Sequence, residues 1–492
     1  MSLSITSFSF VCFVLIVFFA YYAIQGDRWV ALGFASFVYY AYVSNGNVIW
    51  IIVSFLSVWG GGMLLDKNNK SIKELLRPVE GKAKKQLIKR RNRVIVWTLV
   101  CLNVGMLLFC KFTPGIALPL AISFYTLSAV GYIIDVYKGY GAEKNPLKIA
   151  TFLSFFPLLT QGPIVRYKKL NSLFENSKIS IENIASGMML ILWGAAKKQI
   201  IADRCYPLVN GVFSDYKSYS GIIVIIAVLG YMLQLYCDFS GGIDVAIGVA
   251  QLFGVCLPQN FRQPYFSLSI GEFWRRWHIS LGEWFKDYIY MPLAMSKINN
   301  KAYSYLKNKS GMNVAKIFTT SVITFIVWIV NGIWHGAGWK YVLFGAYMGI
   351  IIAMENSAKM VHKEKKVSRM YQIFQLVRTL FLVAIGWMMI RVDNVAQFVY
   401  MLKSIFQKSE SSLYLNISTF LGNMDIVILI FAVLILLIIE TMQIKSGEKL
   451  RDKIIMSKTY VSVFVWVMLI ISWLILSYDL GNEVRGFIYA KF

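Results

Sequence analysis

The chain has 492 residues, of which 57% are hydrophobic and only 15% are charged, against about a quarter charged in ordinary soluble domains. This composition excludes a soluble globular protein and predicts a polytopic membrane protein. The 50 Lys and Arg outnumber the 25 Asp and Glu, for a formal charge of +25. The basic residues cluster between apolar runs, as cytoplasmic loops do, so we expect no nucleic-acid partner.

Twelve apolar runs are each long enough to cross a bilayer as a helix. They lie near 8–24, 29–44, 47–65, 94–111, 116–136, 184–200, 221–237, 317–335, 339–356, 373–391, 424–442 and 459–477. Shorter apolar pieces near 149–160 and 243–257 predict re-entrant or interfacial segments. The runs are continuous, whereas the strands of a transmembrane barrel alternate. The predicted fold is therefore all-α, a polytopic protein of about 11–12 transmembrane helices in a single membrane domain, residues 1–492.

The first long basic loop, residues 66–93, carries eleven Lys or Arg against three acids. Because an excess of Lys and Arg marks the cytoplasmic side, we place this loop and the later basic loops inside. Three spans precede the loop, so the N-terminus is predicted to be extracytoplasmic, and the last span leaves the C-terminus there too. The expected setting is a bacterial inner or plasma membrane, with membrane lipid in contact with the protein.

Two segments interrupt the apolar pattern before residue 250. Gln161 begins a Gln-Gly-Pro turn, and irregular backbone at membrane depth survives only where protein or a water-filled cavity surrounds it. Gln161 is therefore a candidate lining residue of a substrate path. Asp238 and Asp244 are six residues apart and face differently on a helix, which argues against an acid/base pair. Buried structural hydrogen bonding is the favoured role, with shaping of a substrate path as the alternative.

Residues 270–288 are predicted to form one amphipathic helix at the cytoplasmic interface, with a Ser-x-x-Glu capping box at 269–272. Arg275 and Arg276 lie on its polar face and could hold the phosphates of an acyl donor. Contact with anionic lipid headgroups explains them at least as well. For His278, which follows them, a catalytic role and a wet interfacial side chain are about equally favoured.

His335 is the residue that most strongly indicates chemistry. It ends the uncharged run 317–334, and an ionisable side chain in such a position is costly and indicates function. Neutral imidazole can take a proton from a hydroxyl and return it near neutral pH, so His335 is a candidate general base, with a packing histidine as the less favoured alternative. Asn331 shares its helical face and could orient the ring, while Gly332 and Gly336 allow another backbone or a substrate to approach.

Other signals of chemistry are absent from the sequence. His362, the third histidine, lies in the charged segment 359–366 and is predicted to be solvated. The six cysteines form no Cys-x-x-Cys pair, so neither a metal site nor a disulfide framework is predicted. No Gly-x-Ser-x-Gly motif suggests a nucleophile within the chain, which favours direct transfer over a covalent acyl-enzyme.

Several motifs together resemble those of the membrane-bound O-acyltransferase (MBOAT) family. The two most specific are Phe-Trp-Arg-Arg-Trp-His-Ile-Ser-Leu at 273–281 and Gly-Ile-Trp-His-Gly at 332–336. Further similar segments lie at 122–126, 135–139, 157–167, 238–248 and 284–288. The similarity extends over a core of about residues 122–350 and is strongest to the branch of the alginate O-acetyltransferase AlgI.

The resemblance implies an MBOAT fold and an enzyme that moves an acetyl group from a cytoplasmic donor, past a buried histidine, toward the outer face. In the family, the histidine that matches His335 is catalytic and the one that matches His278 is the second active-site histidine. Trp274 and Trp334 lie in the same motifs and are candidate substrate-binding residues.

The implied donor is an acyl thioester, either acetyl-CoA or a phosphopantetheine-linked acyl group, used as a substrate with no bound cofactor. The implied partners are an extracytoplasmic transferase of the SGNH-hydrolase type and a polysaccharide acceptor.

Two alternatives stay open. A related branch transfers D-alanine to teichoic acid from an acyl carrier protein, and copurification of a phosphopantetheinylated carrier would favour that activity. A polysaccharide or lipid transporter belongs to a different class. A transporter of that kind is expected to show internal repeats and charged groups near the midplane, which are not evident in this sequence.

Overall fold

The protein is described here from a computed structural model that covers residues 7–74, 81–175, 180–361, 368–409, 412–447, 450–455, 457 and 459–478. Within these ranges every regular element is a helix and no strand occurs, which confirms the all-α prediction. The chain forms two compact units, one of Met1–Met188 with Ala246–Pro258 and one of Met189–Val245 with Gln259–Phe492. His362 and the C-terminal tail lie outside the described residues.

The first unit contains helices α1 to α7, the start of α8 and the end of α10. The bounds of its complete helices are α1 Phe8–Ala23, α2 Arg28–Val43, α3 Ile49–Glu74, α4 Gly81–Phe112, α5 Ile122–Tyr137, α6 Pro146–Ser154 and α7 Phe156–Thr160.

The second unit contains the rest of α8 and of α10, the whole of α9 and every helix after α10. The bounds are α8 Ile181–Ala196, α9 Asp203–Ser214, α10 Ile222–Leu252, α11 Ile270–Arg276, α12 Ile279–Phe285, α13 Met291–Ala294, α14 Lys297–Ser310, α15 Met312–His335, α16 Trp339–Val361, α17 Arg369–Arg391, α18 Val395–Ser404, α19 Leu413–Ser418, α20 Asn423–Ser446, α21 Leu450–Ile455 and α22 Thr459–Tyr478. A π-helical turn, Lys197–Ala202, joins α8 to α9.

Seven helices in the described part of the chain are long and apolar enough to cross a membrane. They are α3, α4, α10, α15, α16, α17 and α20. Three shorter apolar stretches lie at Phe8–Ala23, Ile122–Tyr137 and Ser462–Leu474. A helix occupies each of the twelve predicted apolar runs, so the protein is polytopic as predicted. The number that meets the length and hydropathy requirement is nevertheless smaller than the 11–12 predicted spans.

The predicted separate segment at 243–257 is wrong, because its first part continues the 31-residue helix α10. The carboxylates of Asp238 and Asp244 do not end this helix, since each meets a lysine ammonium group. Gly194 of α8 and Gly241 of α10 bring the two backbones together. A Cβ atom on Gly194 would lie 2.4 Å from the carbonyl oxygen of Gly241, so only glycine permits this approach.

We expect Gly194→Ala to destabilise the protein by roughly 1–3 kcal/mol, the usual cost of overpacking a well-packed site. The added methyl group would meet a backbone oxygen, which cannot rotate away as a side chain could. Gly105→Ala in α4 is the matched control, because a Cβ there meets nothing within 4 Å. The thermal unfolding midpoint in detergent measures both effects, and equal midpoints for the two variants would contradict the close approach.

The predicted continuous helix over 270–288 is also wrong, because α11 ends at Arg276 and α12 begins at Ile279. His278 adopts φ 47° and ψ 53°, a left-handed conformation that interrupts a helix of L-residues. The apolar stripe is buried by protein, since Phe273 and Trp277 are only 0% and 1% exposed. Helical periodicity does not signal this break, because the left-handed residue depends on contacts with a distant loop.

The predicted capping box at the start of α11 is present in modified form. Ser269 Oγ accepts a hydrogen bond from the backbone N–H of Glu272 at 3.1 Å, and the Glu272 carboxylate accepts from the N–H of Leu268 at 2.9 Å. The N–H groups of residues 270–271 both donate to the Glu355 carboxylate at 3.0 Å. The free donors of this helix start are thus satisfied, which holds α11 against α16.

Candidate active site

Two buried imidazoles in the second unit each lie close to the same indole ring, that of Trp334. His335 is the last residue of α15 and is 5% exposed, while His278 stands at the break between α11 and α12 and is 2% exposed. The ring centroid of Trp334 lies 4.9 Å from that of His335 and 6.4 Å from that of His278. The structure therefore brings together three of the residues singled out from the sequence.

The surroundings of His278 keep its ring neutral. The phenyl ring of Phe239 meets it edge-on with centroids 4.9 Å apart, and Asn260 Nδ2 lies 3.1 Å from Nδ1. Burial lowers the pKa of His278 to about 3, because an imidazolium is disfavoured away from water. At physiological pH this side chain is a neutral donor and acceptor.

The environment of His335 is apolar and tightly packed. The phenyl ring of Phe344, from α16, lies 6.0 Å from the imidazole at an interplanar angle of 85°. A Cβ atom on Gly332 would lie 2.2 Å from the carbonyl oxygen of Tyr341, and one on Gly336 would lie 2.0 Å from the Tyr341 ring. The two glycines flanking the histidine thus admit the backbone and ring of the next helix.

An aromatic cluster extends from this site between α11, α16 and α17. Trp274 lies 4.7 Å from Trp328 and 5.7 Å from Trp387, and Trp387 stacks on Phe344 at 6.1 Å. The indole Nε1 of Trp274 is buried and has no hydrogen-bond partner among the described residues. Such a cluster lowers the local polarity around the imidazoles, which strengthens electrostatic interactions there.

Asn331 has a buried amide oxygen without a hydrogen-bond partner among the described residues, and the role of its amide in orienting the His335 ring stays a prediction. The residue is 7% exposed. An unpaired buried acceptor is unfavourable by roughly 1–3 kcal/mol. Its position one helical turn before His335 leaves this oxygen as an acceptor beside the site.

The two arginines proposed as phosphate contacts differ in the structure. Arg276 forms an ion pair with Glu272 at 2.5 Å and donates to the carbonyl oxygen of Gln263 at 3.4 Å, so it supports α11 and its preceding loop. Arg275 is the more exposed of the two arginines, which makes it the better candidate for a polyanionic ligand.

Gln161 belongs to the first unit, where it follows α7. Its side chain is 0% exposed, and both amide heteroatoms are buried without hydrogen-bond partners among the described residues. A role in lining a substrate path stays a prediction.

Asp238 is part of a buried ionic cluster that the sequence did not lead us to expect. Lys198 Nζ lies 2.8 Å from Asp238 and 2.6 Å from Asp203. Lys197 Nζ lies 2.6 Å from Asp244 and 2.9 Å from the hydroxyl of Ser240. Each carboxylate that interrupts the apolar pattern of α10 thus faces one of two consecutive lysines.

Sequence reasoning overlooked these lysines and Asn260, although one signal was present. Lys197 and Lys198 fall inside the predicted apolar span 184–200, and two buried cations require nearby anions. Asn260 has no comparable local signal, because its partner His278 is eighteen residues away across a loop.

The amino-acid sequence is similar to one protein family and to several known enzymes. Residues 143–307 match the sequence model of MBOAT, the membrane-bound O-acyltransferase family. The chain is 37% identical over 280 residues to the probable alginate O-acetylase AlgI of Pseudomonas aeruginosa, which covers 57% of this chain and 50% of that protein. It is 31% identical over 322 residues to the peptidoglycan O-acetyltransferase of Helicobacter pylori, covering 60% and 58%.

A third relative is the teichoic acid D-alanyltransferase of Streptococcus thermophilus, 30% identical over 259 residues, covering 50% of this chain and 60% of that protein. The chain thus spans about half the length of the alginate relatives that it matches. His278 lies within the matched family segment, and His335 follows it by 28 residues. On these matches the central part of the chain, residues 143–307, is similar to the membrane-bound O-acyltransferase family, and 57% of the chain is similar to an alginate O-acetylase.

Proposed function

We propose that this protein is a membrane-bound O-acyltransferase of the bacterial plasma membrane that moves an acetyl group from a cytoplasmic thioester donor to an extracytoplasmic polysaccharide. The observation that carries the proposal is the pair of buried imidazoles, His278 and His335, whose ring centroids lie 6.4 Å and 4.9 Å from that of Trp334. Two buried histidines in an aromatic environment suit proton transfer and polarisation of a carbonyl group.

In the proposed reaction His335 acts as the general base. Its neutral imidazole takes the proton of an acceptor hydroxyl while the hydroxyl oxygen forms a bond to the thioester carbonyl carbon. The carbon–sulfur bond then breaks, and the leaving thiolate takes the proton back from the His335 imidazolium. His278 orients or polarises the reacting carbonyl, and the acceptor is a sugar hydroxyl or a serine of a partner protein.

The donor is proposed to be acetyl-CoA or a phosphopantetheine-linked acetyl group. Arg275 is the candidate contact for its phosphates because it is exposed. Arg276, beside it, is proposed to support α11 through its ion pair with Glu272. Trp274 and the unpartnered Asn331 Oδ1 are candidate contacts for the acyl or acceptor groups. We further propose that an extracytoplasmic protein of the SGNH-hydrolase type acts as the partner. Both chain termini are proposed to lie on the extracytoplasmic side of the membrane.

The second candidate activity is D-alanyl transfer to teichoic acid from an acyl carrier protein. It is favoured by the similarity to a relative named teichoic acid D-alanyltransferase. Both activities would use the same pair of histidines, so the donor distinguishes them.

We expect purified protein in liposomes to transfer label from [¹⁴C]acetyl-CoA, or from an acetylated carrier, to an oligosaccharide acceptor. A parallel reaction with D-alanyl carrier protein and a teichoic-acid acceptor tests the second activity. Label in the acceptor from only one donor identifies the reaction. Movement of unmodified polysaccharide into the liposomes, with no covalent label from any donor, would instead indicate a transporter and contradict the proposal.

A further inference from the structure

Asn260 joins the loop before α11 to the break at His278. The residue is 0% exposed, and its carbonyl oxygen accepts a hydrogen bond from the N–H of Ile279 at 2.9 Å. Close by, the N–H of Arg262 donates to the carbonyl oxygen of Arg276 at 2.9 Å. These two backbone bonds hold the loop beside the left-handed residue.

The side chain of Asn260 makes three further contacts. Oδ1 accepts from the backbone N–H of Ser280 at 2.8 Å, whereas Nδ1 of His278 lies 3.1 Å from Nδ2 and 3.4 Å from Oδ1. The nearer atom, Nδ2, is a donor, and a proton on Nδ1 would face it, so the shorter contact favours an Nδ1 that accepts. Rotating the amide by 180° would place its NH₂ group against the N–H of Ser280, where two donors would face each other. The NH₂ group therefore faces the imidazole and donates to Nδ1.

A neutral imidazole that accepts a hydrogen bond at Nδ1 carries its proton on Nε2. His278 is neutral at physiological pH because burial lowers its pKa to about 3. The ring contacts of Phe239 and Trp334 restrict its position further. Both the tautomer and the orientation of His278 are thus determined by its neighbours.

We propose that Asn260 is a positioning residue that holds His278 as an Nε2–H donor, so that His278 polarises the thioester carbonyl and His335 alone takes the acceptor proton. The catalytic part of this inference rests on the proposed acyl transfer. The carbonyl oxygen gains negative charge as the acceptor oxygen bonds to the carbon, and the Nε2–H of His278 stabilises that charge. His278 keeps its proton throughout, while the proton from the acceptor passes through His335 to the leaving thiolate.

The substitution Asn260→Asp separates this role from a purely structural one. A carboxylate keeps the shape of the side chain and still accepts from the N–H of Ser280, but it cannot donate to Nδ1. The neutral His278 ring must then place its proton on Nδ1 and leave Nε2 without one. Asn394→Asp is the matched control, because Asn394 accepts from the N–H of Gln397 at 2.9 Å as a helix cap with no imidazole involved.

The tautomer is read directly by ¹⁵N NMR of histidine-labelled protein in bilayers near pH 8. The chain has only three histidines, so single His→Ala variants assign the signals. We expect His278 to be protonated at Nε2 in the wild type and at Nδ1 in Asn260→Asp. A wild-type signal from Nδ1–H, or an unchanged tautomer in the variant, would overturn the proposal, and neither depends on any enzymatic activity.

The rate of acyl transfer provides the second measurement. Asn260→Asp is expected to lower kcat about 10²-fold, the usual effect of losing one donor to a developing oxyanion, whereas Asn394→Asp leaves it unchanged. Acidification adds a proton to the Asp–His pair and restores Nε2–H, so the ratio of variant to wild-type rate should rise as pH falls.

A wild-type rate in Asn260→Asp, or a ratio of variant to wild-type rate that is independent of pH, contradicts the positioning role. Absence of transfer by the wild type from every donor refutes the proposed function instead and leaves the tautomer result standing.

Discussion

The variant His335→Ala is expected to lose acyl transfer by roughly 10²- to 10⁴-fold, the usual contribution of a positioned general base. The imidazole is 5% exposed and in contact with Trp334 and Phe344, so water has little room to replace it as a base. Initial rates with labelled donor and acceptor, at saturating concentrations of both, measure the effect on kcat.

Two further substitutions control for folding and for the loss of any histidine. His335→Gln keeps much of the volume and a polar group but cannot act as a base near neutral pH, so it should be as inactive as His335→Ala. His362→Ala removes a histidine from the charged segment 359–366 and should transfer at the wild-type rate. If His335→Gln keeps more than about a tenth of wild-type kcat, His335 is not the general base, because loss of such a base lowers the rate by at least about 10²-fold.

Lys198→Met is expected to destabilise the protein by roughly 3–5 kcal/mol, the usual cost of removing one partner from a buried ion pair. The lysine side chain is 3% exposed and that of Asp238 is 1% exposed, so neither charge can be solvated once its partner is removed. Methionine preserves the length of the side chain, and the loss therefore reports the charge. The thermal unfolding midpoint and the yield of monodisperse protein in detergent measure it.

A pair with an exposed lysine provides the comparison. Lys70 lies 2.6 Å from Asp66, and its side chain is 60% exposed while that of Asp66 is 12% exposed. Because the ammonium group stays in water, we expect this pair to contribute only about 0–1 kcal/mol, as exposed pairs do. Lys70→Met should therefore leave the midpoint almost unchanged. Adding Asp238→Asn to Lys198→Met should recover part of the lost stability, because it removes the more deeply buried of the two carboxylates that pair with Lys198. If the double variant is less stable than Lys198→Met, the buried charge is not the cause of the loss.

The buried lysines explain why α10 can carry two carboxylates in an otherwise apolar sequence. The sequence predicts the apolar run 221–237 and the apolar piece 243–257 as separate segments, with Asp238 between them and Asp244 at the start of the second. Because Lys197 and Lys198 face Asp244 and Asp238, the charges are compensated within the protein and α10 continues to Leu252. Pairing partners that lie some forty residues apart cannot be identified from hydropathy, which is a local quantity.

Local features of the sequence predicted the all-α polytopic architecture and the positions of the apolar helices, and they singled out two of the three histidines as candidates for catalysis. These properties follow from local quantities: the length of apolar runs, the cost of an ionisable group in such a run, and short motifs. Tertiary structure alone decided that residues 270–288 break at His278 and that Trp334 joins the two imidazoles. It also decided that the side chain of Asn260, from a loop eighteen residues earlier, lies against the His278 ring. A tautomer and a left-handed backbone depend on hydrogen bonds between distant segments, and only the folded chain brings those segments together.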